Sequence, residues 1–406
     1  MLRKATLLSF ISLTLALTFA NIAWASPIIP IPSKPAQPIV TPSAPNIDAK
    51  GYILIDANSG KVLAEKNADG RMPPASLTKL MSLYIISGAL KNGSIHLNDK
   101  VRISEKAWRT GGSRMFIKVN DEVDAKSLME GIAVASGNDA SVAMAEFIAG
   151  TEEGFANIMN AQAKELGMNN SHFIDSTGLP NPNHYSTPRD FAILAQALTT
   201  TFPEDYKLFS EKWFMFNGIK QPNRNRLLWR FQYADGLKTG HTDEAGYCLV
   251  ASALKDKMRL ISVVMGAPSD AARTEDSIRL LTYGFRFFET HKIHSADTPL
   301  AVARVWKGSS KTIKLGLNEA WYATLPAGQY KNVQLNIQVD PLTAPIVKGQ
   351  TCGSFNIMLN NQIIASKPII ALTDDPKGGI LRRATDSVSF KFHQIFTKSS
   401  DKMNNA

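Results

Sequence analysis

Three short clusters hold the residue types that nucleophilic chemistry needs. In Ser76-Leu77-Thr78-Lys79 a hydroxyl and an amine stand three positions apart at the start of an apolar-periodic run. Positions i and i+3 share a helix face, so the two groups can meet. A serine hydroxyl needs a base to attack a carbonyl, and lysine serves when burial or a neighbouring cation lowers its pKa. A helix start also favours the negative charge that develops on an acyl oxygen. Alone the pattern says little: it recurs at Ser399-Ser400-Asp401-Lys402, and a helix cap beside a surface lysine satisfies it equally well. In Ser136-Gly137-Asn138 a proton-shuttling hydroxyl and a two-way amide flank a glycine. This pattern also has a decoy, Ser354-Phe355-Asn356. Lys238-Thr239-Gly240 offers a cation and a hydroxyl for a carboxylate, and its third residue lets a ligand approach a strand edge.

The elements around these clusters give them their setting. Residues 51–56 and 61–65 alternate about the turn Asn58-Ser59-Gly60 and read as a hairpin. Leu77, Leu80, Met81, Tyr84 and Ile85 form one face of a helix beginning near Ser76. Helices are expected at about 125–135, 139–149, 152–166 and 188–199, strands at 236–240, 246–253 and 258–266, and a last helix at 274–290. Strands at both ends with helices between predict an α+β fold, one antiparallel sheet with helices packed on it. Residues 296–372 break into short apolar runs separated by Gly, Asn, Asp and Pro, the pattern of a small all-β domain.

Taken in order, S-x-x-K, S-x-N and K-T-G resemble the signature of the penicillin-recognising serine enzymes. The similarity is closer to the D-alanyl-D-alanine carboxypeptidases, the low-molecular-mass penicillin-binding proteins. Pro74 to Met81, Ser136 to Ala140, Asp235 to Tyr247 and Gly284 to Thr290 all match that family's blocks, and the resemblance spans about 47–372. It implies a penicillin-binding, β-lactamase-like transpeptidase domain followed by the all-β domain. It also implies roles. Ser76 would form an acyl-enzyme with the penultimate D-Ala, with Lys79 as base. Ser136 would pass the proton to the leaving amine, and Asn138 would bind a substrate amide. Lys238 and Thr239 would hold the terminal carboxylate, with Gly240 also in the substrate-binding set. The backbone N–H groups of Ser76 and His241 would form an oxyanion hole, and Arg224 and Arg273 match arginines near the carboxylate. The loop at Thr110–Met115 resembles one tied to deacylation, with glycines that suit mobility. Ser141 stands where family members often carry Cys.

The implied substrate is a peptidoglycan stem pentapeptide, with β-lactams as inhibitors and no cofactor or metal. Alternatives on the same chemistry are a DD-endopeptidase and a class A-like β-lactamase, though Gly137 replaces the Asp of the latter's second motif. A non-catalytic penicillin-binding scaffold is the alternative from another class.

The remaining sequence bears on place and partners. The chain has 406 residues and a formal charge of +10. Arg3 and Lys4 carry two of those charges, and residues 377–406 hold six basic and two acidic side chains, which leaves the body near +4. No dense basic run lies within the body, so nucleic acid is not an expected partner. A charged start, the apolar run Leu7 to Ala20 and Ala23-Trp24-Ala25 read as a signal peptide over 1–25. Prolines 27, 30, 32, 35, 38, 42 and 45 make 26–46 an extended linker. The expected division is then 47–292 for catalysis, 296–372 for the β-domain, and a basic amphipathic helix in 376–406. In that tail Leu381, Ala384, Val388, Phe392, Ile395 and Phe396 share a face ringed by Arg382, Arg383, Lys391 and Lys398, a pattern suited to an anionic membrane surface. The expected location is the periplasmic side of the inner membrane. The two cysteines, Cys248 and Cys352, fall in different expected domains and are not expected to pair.

Overall fold

The structure is a computed structural model that describes residues 41–389. The signal-peptide reading, most of the proline linker and the distal tail lie outside those residues.

The chain opens with β1 (Gly51–Asp56) and β2 (Val62–Lys66), the hairpin expected from the alternation. A 3-10 turn at Ala75–Thr78 feeds α1 (Lys79–Lys91), so the helix begins three residues later than its apolar face suggested. Next come β3 (Lys100–Arg102), α2 (Glu105–Arg109), β4 (Glu122–Asp124) and α3 (Ala125–Glu130). The expected single helix over 125–135 ends early, because residues 131–135 widen into a π-turn. Three longer helices follow: α4 (Asn138–Ala149), α5 (Glu152–Leu166) and α6 (Pro188–Thr201). A small hairpin, β5 (Trp213–Phe216) with β6 (Ile219–Pro222), and the short α7 (Leu227–Arg230) lead to the long strands. These are β7 (Ala234–Thr242), β8 (Gly246–Lys255) and β9 (Met258–Ala267).

The five strands pair in the order β2-β1-β9-β8-β7, so the first hairpin closes against the last strand through β1 and β9. Leu249, Ala251, Ala253, Leu260 and Val264 turn to one face of the sheet. Cys248, Val250, Ile261 and Val263 turn to the other, beneath α1, α4 and α6. Each face is buried under helices, so the central strands read as unbroken apolar runs. The edge strand β7 has no strand on its outer side among the described residues, and the 3-10 turn lies against it at Gly240.

Helix α8 (Asp270–Phe287) packs on the outer face. It starts four residues before the expected 274, because the Ser269 hydroxyl caps Ala272 N–H and Asp270 favours the first turn. It also stops early. Residues 288–294 form β10 (Phe288–His294), which pairs with β13 (Trp321–Pro326). β-branched and aromatic residues in Phe288-Glu289-Thr290-His291 suit a strand. Between them lie β11 (Ala301–Trp306) and β12 (Thr312–Gly316). The chain continues through β14 (Val333–Val339), β15 (Leu342–Thr343), β16 (Thr351–Leu359) and β17 (Gln362–Ala371). These strands form a second sheet in the order β14-β16-β17-β12-β11-β15, around a core of Val305, Leu315, Trp321, Phe355, Ile357 and Ile369. The α+β fold with an appended all-β part is thus present. Both cysteines are free and buried.

A polar cluster joins the two parts. The buried Asp56 carboxylate accepts from Ser59 and Thr290, and Thr290 and Ser59 each reach Thr324 on β13. Lys61 donates to the Thr324 carbonyl.

Candidate active site

The 3-10 turn holds Ser76 half-buried and aims it along α1. Ala75 sits in the left-handed region at φ +48°, which turns the chain sharply out of Pro73-Pro74. Lys79, one turn on, is fully buried and donates to Ser76 Oγ at 3.0 Å. It also donates to the Thr177 carbonyl at 2.7 Å. The loop carrying Thr177 approaches so closely that a Cβ on Gly178 would lie 1.8 Å from the Ala75 carbonyl oxygen, and Gly178 itself has φ +83°. Only glycine satisfies both demands.

The second pair comes from the other side of the cleft. The π-turn ends on Ser136, left-handed at φ +59°, which swings its hydroxyl toward the sheet edge. Lys238 on β7, also buried, donates to Ser136 Oγ at 2.8 Å and to the Thr239 carbonyl at 3.0 Å. Gly240 lets β7 lie against the 3-10 turn: a Cβ there would meet the Pro74 carbonyl at 2.9 Å and Leu77 N at 3.2 Å.

Asn138 opens α4. Its Nδ2 donates to the Gly111 carbonyl at 2.6 Å, and its backbone N–H donates to the Ser113 carbonyl. Its Oδ1 is buried without a partner. A buried amide oxygen left unpaired is costly, and here it is an acceptor waiting for an N–H. Asp139 beside it takes the backbone N–H groups of Met115, Phe116 and Ile117. The 110–115 loop is therefore held at several points despite its glycines. Ser141 Oγ donates to the Ser176 carbonyl, alongside Ser82.

At the far end of β7, His241 is exposed and stacks on Tyr247, with ring centroids 4.0 Å apart. Arg273, nearly buried, donates to the carbonyls of Gly240 and Cys248 and pairs with Asp270 at 2.5 Å. Asp270 also binds Arg226 at 2.7 Å. Arg224 is exposed and its Nε donates to the Ala135 carbonyl at 3.3 Å. Arg224, Arg226, Arg273, Lys220, His241 and Tyr247 line a cleft of about 490 Å³ whose cations suit an anionic end group.

Electrostatics prime both lysines. Burial pushes Lys79 down to about 7; Asp175 and Asp139 oppose that, Arg224 adds to it, and Glu152 opposes it. Lys238 lies well below an ordinary lysine, first because it is buried and then because Lys79, Arg224 and Arg273 are also cationic. Neutral lysine is the form that can accept a proton from Ser76.

Two participants carried no signal in the sequence. Asp175 accepts from the N–H groups of Thr177 and Gly178 and from the Thr177 hydroxyl. Its carboxylate lies 3.5 Å from Nδ1 of the buried His184, whose Nε2 lies 3.0 Å from the Thr78 hydroxyl. Burial alone would raise the Asp175 carboxyl, but the hydrogen bond and charge of His184, with those of Gly178 and Thr177, hold it well below the usual carboxylate range. Both residues sit between α5 and α6 in chain without helix or strand, so no periodicity marks them. The decoy Ser354 and Asn356 lie on β16 in the second sheet, and Ser399 is outside the described residues.

Known proteins resemble this chain over most of its length. The family described as "D-alanyl-D-alanine carboxypeptidase" matches residues 39–269, and "Penicillin-binding protein 5, C-terminal domain" matches 288–377. A curated relative, the D-alanyl-D-alanine carboxypeptidase DacC of Escherichia coli, is 46% identical over 365 residues, 88% of this chain and 91% of its own length. Penicillin-binding protein 5 of Haemophilus influenzae superposes with a TM-score of 0.80 at 43% identity, covering 83% of this chain and 100% of that one. Penicillin-binding protein D2 of Listeria monocytogenes, solved in its ampicillin-bound form, superposes with a TM-score of 0.56 at 31% identity, over 60% of this chain and 100% of that one.

Proposed function

The chain belongs to the D-alanyl-D-alanine carboxypeptidase family and is a serine-type DD-carboxypeptidase, and we propose that Ser76, Lys79, Ser136 and Lys238 carry its chemistry. The observation behind this reading is the convergence of two lysine–serine pairs, both lysines buried, on one edge of the sheet.

The substrate is the D-Ala-D-Ala end of a peptidoglycan stem peptide. It lies extended along β7, the edge strand of the first sheet, as an added strand. The orphaned Asn138 Oδ1 accepts one of its amide N–H groups. Thr239, Lys238 and the cationic cleft beyond His241 receive its terminal carboxylate. Neutral Lys79 takes the proton of Ser76 while keeping its bond to Thr177, and Oγ attacks the penultimate D-Ala carbonyl. The N–H groups of Ser76 and His241 stabilise the oxyanion. Lys79 passes the proton by way of Ser136 to the departing D-Ala amine, leaving an acyl-Ser76 ester. Water hydrolyses that ester. His241 acts through its backbone, its ring being held flat on Tyr247.

A β-lactam follows the same route to an acyl-enzyme and leaves it slowly. Mixing the protein with a penicillin and mapping the adduct tests the assignment. One acyl group on the peptide containing Ser76, absent from Ser76→Ala, supports it. An adduct elsewhere in the chain overturns it.

The tail bears on location. Among the described residues no helix is long and apolar enough to cross a membrane. Over 380–389, however, Arg382 donates to the Ser309 carbonyl and Asp386 accepts from Lys307 N–H, both on the second part. The opposite side leaves Ile380, Leu381 and Val388 exposed, at 84%, 86% and 59%. This supports an exported enzyme lying on the outer face of the inner membrane through that apolar side. Loss of vesicle binding on truncation after Lys377, with D-Ala release intact, is the expected result.

A further inference from the structure

The second sheet has two edges of unlike character. One edge, β15, is two residues long and bracketed by Pro341 and Pro345, a blunted edge. The other, β14, runs seven residues with β16 on one side and no strand on the other among the described residues. Its sequence, Val333-Gln334-Leu335-Asn336-Ile337-Gln338-Val339, contains no charge and no proline. Exposed edges ordinarily carry one or the other to prevent pairing.

The strand reads nearly the same in both directions about Asn336. An antiparallel copy centred there places Val opposite Val, Gln opposite Gln and Leu opposite Ile. Self-complementarity of this kind is what a two-fold interface requires. The exposed Leu335, Ile337 and Val339 share a face, at 48%, 39% and 36% exposure, and would continue that face into the second copy. On the opposite face a row of polar groups already runs toward the edge. Ser366 Oγ donates to Asn356 Oδ1 at 2.6 Å, and Asn356 Nδ2 donates to Asn336 Oδ1 at 3.5 Å. A second Asn336 would extend that row across the axis. At the ends, Asn332 would face Asp340 of the other copy, bringing Lys331 next to a carboxylate.

Backbone direction agrees. Asp340 N–H donates to the Cys352 carbonyl, and the register of β14 on β16 is unbroken. Even positions therefore turn their backbone groups toward β16, and odd positions turn theirs to the open side.

We propose that two copies of this chain associate through β14, pairing antiparallel about Asn336 to join their second sheets into one.

Register-specific disulfide trapping in the full chain, held in detergent, tests this. Asn336 would face its own copy as a non-hydrogen-bonded pair, with Cα atoms about 4.5 Å apart, inside the disulfide range. Gln334 would lie about 13 Å from its own copy, four residues along the strand. Asn336→Cys is expected to run at doubled mass on a non-reducing gel, while Gln334→Cys stays single. Both native cysteines are buried and do not compete. Ile337→Lys, which adds an edge charge, is expected to abolish the Asn336→Cys dimer while D-Ala release is unchanged. Equal trapping at 334 and 336, trapping that survives Ile337→Lys, or no trapping at 336 each overturns the proposal.

Discussion

Lys79 Nζ lies 2.7 Å from the carbonyl oxygen of Thr177, a residue 98 positions further along the chain. That bond fixes the amine while its remaining reach, 3.0 Å, goes to Ser76 Oγ. An ordinary lysine is neutral in roughly one molecule in 2,500 at pH 7. Burial brings Lys79 to about 7, so about half the molecules hold a usable base. Acylation by a penicillin should therefore rise about tenfold per pH unit on the acid side and level off near pH 7. A profile flat from pH 5 to 8 would contradict a lysine base. Lys79→Met should lower the acylation rate by about 10²–10⁴-fold, measured by stopped-flow with a chromogenic β-lactam.

The same burial makes a stability prediction of definite sign. Between about pH 7 and 10 the unfolded chain keeps a proton on Lys79 that the folded chain has released. Stability therefore climbs with pH across that window. Lys79→Met removes this contribution, so its denaturation midpoint should rise less between pH 7 and 10 than that of the wild type. Lys238 and Lys61, shifted in the same direction by burial, contribute to the rise in both proteins. Equal slopes for the two proteins would argue against a depressed Lys79.

Asp175 and His184 act through the loop they hold. The carboxylate fixes the Thr177-Gly178 turn, and His184 ties it to Thr78 beside Lys79. His184→Leu leaves a partly buried carboxylate short of a partner, which should cost about 1–3 kcal/mol of stability. Asp175→Asn removes the negative charge that most favours protonated Lys79, so the acid limb of the pH profile should move to lower pH. An unmoved limb would restrict Asp175 to holding the loop.

Asn138 offers its unpaired Oδ1 to substrate and its Nδ2 to Gly111. Asn138→Ala should reduce kcat/KM for a D-Ala-D-Ala peptide about 10–100-fold, the loss of a buried hydrogen bond. Steady-state kinetics on the purified variant measures it directly.

Much of this site was legible because its chemistry is local. Ser76 and Lys79 share one turn, Ser136 and Asn138 one loop, and Lys238 to Gly240 one strand, so spacing in sequence carried over into space. The flanking hairpin and the long strands also followed from alternation. What spacing does not encode was missed. Asp175 and His184 meet Lys79 and Thr78 only through the folded path of an irregular segment, with no period to flag them. The end of α8 was placed too late because Phe287, Phe288 and Thr290 fit either a helix or a strand, and pairing of β10 with β13 decided it. The π-turn before Ser136 opens on Gly131, where Met115 packs so closely that a Cβ would lie 2.4 Å from its sulfur, a tertiary contact that local spacing does not encode.

The most direct test of the account is release of free D-Ala from a peptide ending Lys-D-Ala-D-Ala, compared between the wild-type chain and Ser76→Ala. The account predicts steady release by the wild type and none above background by the variant, with both proteins showing the same thermal unfolding. Release that persists without the Ser76 hydroxyl would contradict it.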